Sequence, residues 1–432
     1  MTIRSIFEKL NLRSRPGRLV QNAIALMISS GGAAAIGVVF WGVATHLTKA
    51  SIIGKATAEI AAMLLLANLA QLSFGSIFER FLPIAGKLTH GFVKRAYVIC
   101  VVYGFVLAIA YLLLGFGHSF LSSSVGWRVL FVVAVILWTI FALQDSVMIG
   151  LRASKWVAVE NIFYSIAKLI LLPVSVLISS SDGIFLAWIA PVIVTIIAVT
   201  WYIFRRRIPQ HMASDGVTEV LPSAKVLFFL AGAQYAALLT TVFMPSVITL
   251  IVIQRLGPVA NAYYYLPAMI TSSLGLFFLS IARSFLVEAS HEPHALRLHA
   301  NSAIRVLVVV LVPSVILGYV FTPEFLRVFG ASYAANGSTL MRMLLVSLLG
   351  NAVMVFYSTF AWLDKRVWWM AIRNLGSSVV QLVVILVLIK HHGINAIGIA
   401  ALVNSFLTLV LFLPMAVRRY RITKVVLILD SE

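Results

Sequence analysis

At 432 residues, 61% of them hydrophobic and 11% charged, with a mean hydropathy of +1.03, this chain has more apolar surface than a water-soluble core could hide. A net charge of +19 does not point to nucleic acid here, because the cations are spread over seven short loops and termini instead of forming one stripe. They fit orientation in a bilayer and contact with anionic headgroups, and the single cysteine, Cys100, excludes a disulfide within the chain.

The first 18 residues are basic and polar. The apolar run behind them is too long for a signal-peptide core and ends in no convincing cleavage site, so it reads as a first membrane helix. Twelve spans follow in order, at about 20–46, 57–79, 96–117, 127–150, 156–179, 184–204, 223–251, 262–284, 302–322, 339–361, 367–390 and 394–417. Each is close to the ~20 residues that cross a bilayer as a helix. The longest polar stretch, 205–222 (RRRIPQHMASDGVTEVLP), separates two six-helix halves. The expected organisation is a basic cytoplasmic arm over 1–19, an N-lobe over 20–204, a cytoplasmic linker over 205–222, a C-lobe over 223–417 and a cytoplasmic tail over 418–432. No loop is long enough for a soluble domain.

Twenty-five of the 33 Lys and Arg fall on the N-terminal arm, the even-numbered loops and the tail. Seven fall on the opposite side: Lys49, Lys55, Arg128, Arg255, Arg327, Arg342 and Lys390. One, Lys168, falls within a span. Because basic loops stay inside, both termini are expected in the cytoplasm and the protein in the cytoplasmic (inner) membrane, crossing it many times.

The halves resemble repeats. An offset of 203 places Gly54 on Gly257, Phe74 on Phe277 and Arg80 on Arg283. Further along, an offset of 213 places Trp156 on Trp369, Asn161 on Asn374, Ser165 on Ser378, Leu169 on Leu382 and Lys168 on Gln381. Six is an even number, so the halves run the same way across the membrane, related by an axis along its normal. Pro173, Pro191, Pro245, Pro267, Pro313 and Pro414 lie inside spans or near their ends, where a kink is expected. The run Ser29 to Gly37 is made of small residues that allow close helix contact or a bend.

From Leu47 to Pro83 the chain reads LTKASIIGKATAEIAAMLLLANLAQLSFGSIFERFLP, with Gly54, Gly75, Arg80 and Pro83 in the pattern that opens oligosaccharide and polysaccharide flippases. From Gln144 to Pro173 it is similar to the fourth and fifth helices of polysaccharide-export members of that group. The chain thus resembles the polysaccharide-transporter branch of the MOP superfamily, which also holds the MATE multidrug exporters and the lipid II flippases. There is no room for the two extra C-terminal helices that lipid II flippases generally carry. The resemblance implies an all-α membrane fold of about twelve helices in two lobes related by pseudo-twofold symmetry, forming a V around a cavity lined by helices one, two, seven and eight. It implies as substrate a lipid-linked glycan whose sugar and pyrophosphate cross inside the cavity while the polyprenyl tail stays in lipid.

Lys168 is the first candidate site residue, since a cation near the bilayer centre costs several kcal/mol without a partner or water. Asp145, Glu160 and Asn161 are candidate partners, and together the four could hold a proton or small cation whose binding biases the lobes. Lys168 could instead meet a pyrophosphate, or be half of a buried ion pair. Arg80 and Arg283 are the second pair, placed to face each other at the cytoplasmic mouth, where a guanidinium fork suits phosphate; anchoring on the positive side explains them equally well. Gln71 and Gln234, with Gln21, Asn22, Asn68, Thr271 and Ser272, are candidates for sugar hydroxyls, or for helix-to-helix bonds. Tyr263, Tyr264 and Tyr265 suit an interfacial belt, and Glu59 a headgroup-level acid in contact with water. His291, His294 and His299 spread over a broad side of any helix and are interrupted by Pro293, so no metal site is expected.

No catalytic residue or cofactor is expected. A membrane-embedded glycosyltransferase or ligase of the same pathway is the alternative from another class, disfavoured by short outer loops with few acids (Glu59, Asp182, Glu324), and no G-x-x-x-x-G-K-[ST] run is present for an ATP-driven pump. Two transport readings remain: a flippase for a lipid-linked glycan, and a MATE-like exporter of amphipathic cations. The first would work alongside a polysaccharide polymerase or glycosyltransferases.

Overall fold

The computed structural model describes residues 35–122, 124–213, 243–291, 296–363 and 367–429. The 1–19 arm, Gln21, Asn22, Gln234, His294 and all of the linker beyond residue 213 lie outside these.

The described chain is helical throughout. The first half holds α1 (Ala35–Leu47), α2 (Ala50–Ala70), α3 (Phe74–Phe81), α4 (Thr89–Leu113), α5 (Val125–Gly150), α6 (Ser154–Ile178), α7 (Gly183–Tyr202) and the short α8 (Ile208–Met212). The second half holds α9 (Met244–Leu256), α10 (Pro258–His291), α11 (Leu296–Val320), the short α12 (Thr322–Arg327), α13 (Ala331–Leu363), α14 (Val367–His392) and α15 (Asn395–Leu429). Ten of the twelve expected spans have a helix in place; most of the first and seventh lies outside the described residues, with α1 and α9 at their far ends. Among the described residues eight helices are long and apolar enough to cross a membrane, and Ala35–Leu47, Met244–Leu256 and Val308–Val320 are shorter apolar helices.

Three boundaries differ from expectation. The second span, expected unbroken over 57–79, starts at Ala50 and stops at Ala70; α3 then begins at Phe74. The residues between turn left-handed at Leu72 (φ 48°) and Ser73 (φ 62°). The sixth span, expected to end at 204, continues through a wider π turn (Ile203–Arg207) into α8. Helix α15 runs on to Leu429, so most of the expected tail is helix. The prolines do not break their helices: Pro173, Pro191, Pro267, Pro313 and Pro414 all lie inside continuous ones, and Pro245 sits in the first turn of α9. In a bundle, neighbouring side chains satisfy the carbonyl that a proline frees.

Each half packs as a lobe. In the first, α5 is central, touching α2, α3, α4, α6 and α7. In the second, α13 has that place, packed on α10, α11 and α15, with α14 against α15. The charge partition agrees with the packing on both faces. Lys55 Nζ meets Asp182 Oδ1 at 2.6 Å, both expected outside. Arg207 donates to the Leu151 carbonyl at 2.7 Å, and the His211 ring meets the Leu82 carbonyl at 2.9 Å, all expected inside.

The lobes join through α2, which packs against both α9 and α10. A Cβ on Gly54 would collide with the carbonyl oxygen of Pro258, so only glycine allows this approach. Asn261 Nδ2 crosses the same seam, donating to the Gly54 carbonyl at 2.8 Å and to Thr57 Oγ1 at 3.0 Å. Trp41 packs edge-on against Tyr265 at 5.1 Å, and Gln254 Nε2 reaches the Phe116 carbonyl at 3.1 Å. One hydrophobic cluster spans the seam, from Phe40, Trp41 and Ile53 to Leu250, Ala262 and Leu266. Every one of these contacts lies toward the expected outer end.

Candidate functional site

At the other end the second span leaves the seam. Helix α3 packs on α5, and the approach is close because Gly150 has no Cβ to strike the Phe78 carbonyl. The three-residue break redirects α3 away from the axis of α2 and places Glu79 and Arg80 on an exposed surface. Arg80 lies over its neighbour Phe81, 5.5 Å from the ring centre, and no carboxylate pairs with it among the described residues. Ser146 Oγ donates to Glu79 Oε1 at 3.4 Å. Gln71 is half-buried at the break, where its Nε2 donates to Asn68 Oδ1 at 3.2 Å and its carbonyl accepts a 3.6 Å contact from Cys100 Sγ. Arg283 lies in α10, with its side chain outside the described residues.

The intramembrane candidates divide into two groups. Asn161 Nδ2 donates to Asp145 Oδ2 at 3.2 Å and to the Val157 carbonyl at 3.0 Å, tying α6 to α5. Glu160 is buried beside them. Both its oxygens, Asp145 Oδ1 and the Tyr97 hydroxyl are buried without a hydrogen-bond partner. Buried carboxylate oxygens without donors are unusual, and a group of them on α4, α5 and α6 is suited to a proton or small cation.

Lys168 does not join that group, which corrects the expected four-residue cluster and the buried ion pair. Its ammonium lies over three rings, 4.4 Å from Trp188, 5.0 Å from Tyr164 and 5.5 Å from Phe40. Trp138 stacks on Trp188 at 5.7 Å and holds that face in place. The separation follows from helix geometry: Glu160 and Lys168 are eight residues apart on α6, a rise of about 12 Å. Tyr164 is one turn from Lys168 on the same helix, a spacing that the sequence does show; Phe40 and Trp188 come from other helices and carry no local signal.

Glu59 is fully buried, not a headgroup acid in water. Lys55 lies 3.7 Å from its Oε1, and Trp127 Nε1 donates to the same oxygen at 3.3 Å. Tyr264 is also buried, as is Asn261 beside it at the seam. Among the described residues, no group of His, Cys, Asp and Glu could hold a metal ion. Arg373 lies in the second turn of α14, half-buried against α15.

No family model and no curated protein matches this chain. Solved structures do match across nearly its whole length. A multidrug-resistance MATE transporter of the MOP superfamily in its inward-facing conformation aligns with a TM-score of 0.61 at 13% identity, covering 92% of this chain and 95% of that one. A MATE in complex with MaD5 aligns with a TM-score of 0.59 at 14% identity, covering 93% and 95%. A MOP superfamily transporter from Pyrococcus furiosus, described as having a binding pocket of reverse polarity, aligns with a TM-score of 0.52 at 14% identity, covering 94% and 93%. This multi-pass membrane protein therefore has the fold of the MOP superfamily, two helical lobes of the MATE type.

Proposed function

We propose that this protein is a flippase that moves a polyprenyl-(pyro)phosphate-linked oligosaccharide from the inner to the outer leaflet by alternating access. The observation that carries the reading is the exposed guanidinium of Arg80 on α3, at the end of the second span away from the seam. Arg80 has no acid partner among the described residues, and its planar fork suits a phosphate in two parallel bonds. A cargo with a diphosphate would meet Arg80 first, while its lipid tail remained between the lobes. Arg283 on the pseudo-equivalent helix and Lys168 deeper in the N-lobe are the other cationic positions, with Gln71 and Gln234 available to sugar hydroxyls. The seam at Gly54, Pro258 and Asn261 corresponds in this reading to a closed outer gate.

Driving such a cycle requires a ligand that binds one lobe arrangement better than the other. Asp145, Glu160 and Asn161 are the proposed place for that ligand, a proton or a small cation. The same unpartnered oxygens favour a second reading, a MATE-like exporter of amphipathic cations, in which the carboxylates would bind cargo. The two readings differ in what accumulates. In the cell that makes the protein, Arg80→Ala and Lys168→Ala are expected to leave it in the membrane, abolish surface glycan and accumulate its lipid-linked precursor inside. Normal surface glycan in both variants, with increased sensitivity to cationic drugs, contradicts the flippase reading and supports the exporter.

A further inference from the structure

The fifth helix of each lobe carries a polar stripe at the same five positions. On α6 it is Glu160, Asn161, Tyr164, Ser165 and Lys168; an offset of 213 gives Arg373, Asn374, Ser377, Ser378 and Gln381 on α14. The spacing i, i+1, i+4, i+5, i+8 sets each stripe along one side of its helix. Two things distinguish them. The first is sign, since an acid heads the N-lobe stripe and a guanidinium the C-lobe stripe. The second is packing. Glu160, Tyr164, Ser165 and Lys168 are buried, whereas all five C-lobe positions are half-buried. On the same helix Ile372, Val379 and Val383 are exposed apolar residues, as expected of a surface facing lipid. The C-lobe stripe is thus a separate, partly accessible polar strip about 12 Å long.

At its head Arg373 is oriented but not neutralised. Nη1 donates to Asn374 Oδ1 at 3.0 Å, Nη2 donates to Thr408 Oγ1 on α15 at 2.9 Å, and the guanidinium lies over Phe412 at 5.3 Å. These partners are all uncharged, and no carboxylate pairs with Arg373 among the described residues. A guanidinium has five N–H donors, so this one, held by two neutral acceptors and a ring, keeps donors and a full charge for a further ligand. About one turn along the helix, Ser377 Oγ donates to Asn404 Oδ1 at 2.7 Å, adding an amide to the strip.

We propose that the α14 stripe is an anion-binding site in the C-lobe, in which Arg373 takes a phosphate ester and Ser377, Asn404 and Gln381 meet hydroxyls attached to it. The identity of the ligand as cargo rests on the flippase reading; the site itself does not. Two sources share the chemistry, the phosphate of a transported glycolipid and the headgroup of a membrane phospholipid.

The test is titration of the full-length protein, purified in a neutral detergent, with inorganic pyrophosphate followed by calorimetry. A charge-assisted hydrogen bond contributes about 1.5–3 kcal/mol, so Arg373→Gln is expected to weaken binding roughly 10-fold or more, and Arg373→Lys less. Lys390→Gln removes an equal charge from the other end of α14 and is expected to change nothing. Equal affinity for wild type and Arg373→Gln, or an equal loss in Lys390→Gln, overturns the proposal. If Arg373→Gln does not fold, Thr408→Val, which frees Nη2 without changing charge, carries the test: a several-fold shift supports the site, and no shift overturns it. Displacement of pyrophosphate by phosphatidylglycerol in nanodiscs, with none by phosphatidylcholine, supports the site with a phospholipid as its source. Arg373-dependent binding in a protein that flips no glycolipid leaves the site standing and sinks the flippase reading. Glycolipid flipping without Arg373-dependent binding does the reverse.

Discussion

Lys168 shows what burial of a charge means at the scale of one residue. Cation–π contact contributes about 0.5–1 kcal/mol at exposed sites and about 2 kcal/mol or more when desolvated, so Trp188, Tyr164 and Phe40 together roughly offset the several kcal/mol needed to place an ammonium there. The net contribution of the side chain to the fold is therefore expected to be small. Lys168→Met is expected to leave the thermal midpoint in detergent unchanged or raise it, while lowering transport. A loss of about 3–5 kcal/mol, the signature of one broken half of a buried ion pair, would mean that an acid does partner it. The position of Lys168 was legible in the sequence because no topology rule explains a lysine in mid-span. Its surroundings were not, because two of the three rings come from α1 and α7, remote in sequence. Arg373 is the opposite case. Positive-inside bookkeeping accounts for any arginine near a span end, and so it hid one that turns into the bundle.

At the scale of the helix, the break in the second span decides where Arg80 stands. Ser73 is left-handed, which costs a non-glycine residue roughly 1–2 kcal/mol, and its hydroxyl is buried without a partner. Ser73→Gly removes both penalties at the cost of some chain entropy. It is expected to stabilise the protein by about 1 kcal/mol in thermal unfolding; destabilisation would show that the hydroxyl has a partner in the membrane. Nothing in ANLAQLSFG announces this break. The residues that usually announce one, the prolines, sit in unbroken helices a few spans away. Helix continuity here goes with tertiary contact: α2 packs on α9 and α10 along the seam as well as on α5, while α3 packs on α5. Local propensity carries no record of those contacts. The all-helical membrane architecture was legible, because it depends on length and hydrophobicity alone.

For the whole molecule, the account is a pair of like-oriented lobes, joined among the described residues where α2 meets α9 and α10, with unlike charges on equivalent helices. Among the described residues the N-lobe holds acids without hydrogen-bond partners and the C-lobe a guanidinium without a carboxylate, and the proposals above give a cation and an anion separate places to bind. The polarity of the loops foretold which ends lie together, as the pairs Lys55 with Asp182 and Arg207 with Leu151 illustrate. It could not foretell which end is closed, since that depends on side chains of two lobes meeting at Gly54 and Asn261. The most direct measurement is transbilayer movement in vesicles containing only the purified protein, using a polyprenyl-diphosphate oligosaccharide with a fluorescent sugar and an added quencher that cannot cross. The account predicts that the labelled lipid exchanges between leaflets faster than in protein-free vesicles, and that the same glycan on a neutral lipid does not. No acceleration, or equal acceleration of both lipids, would contradict it.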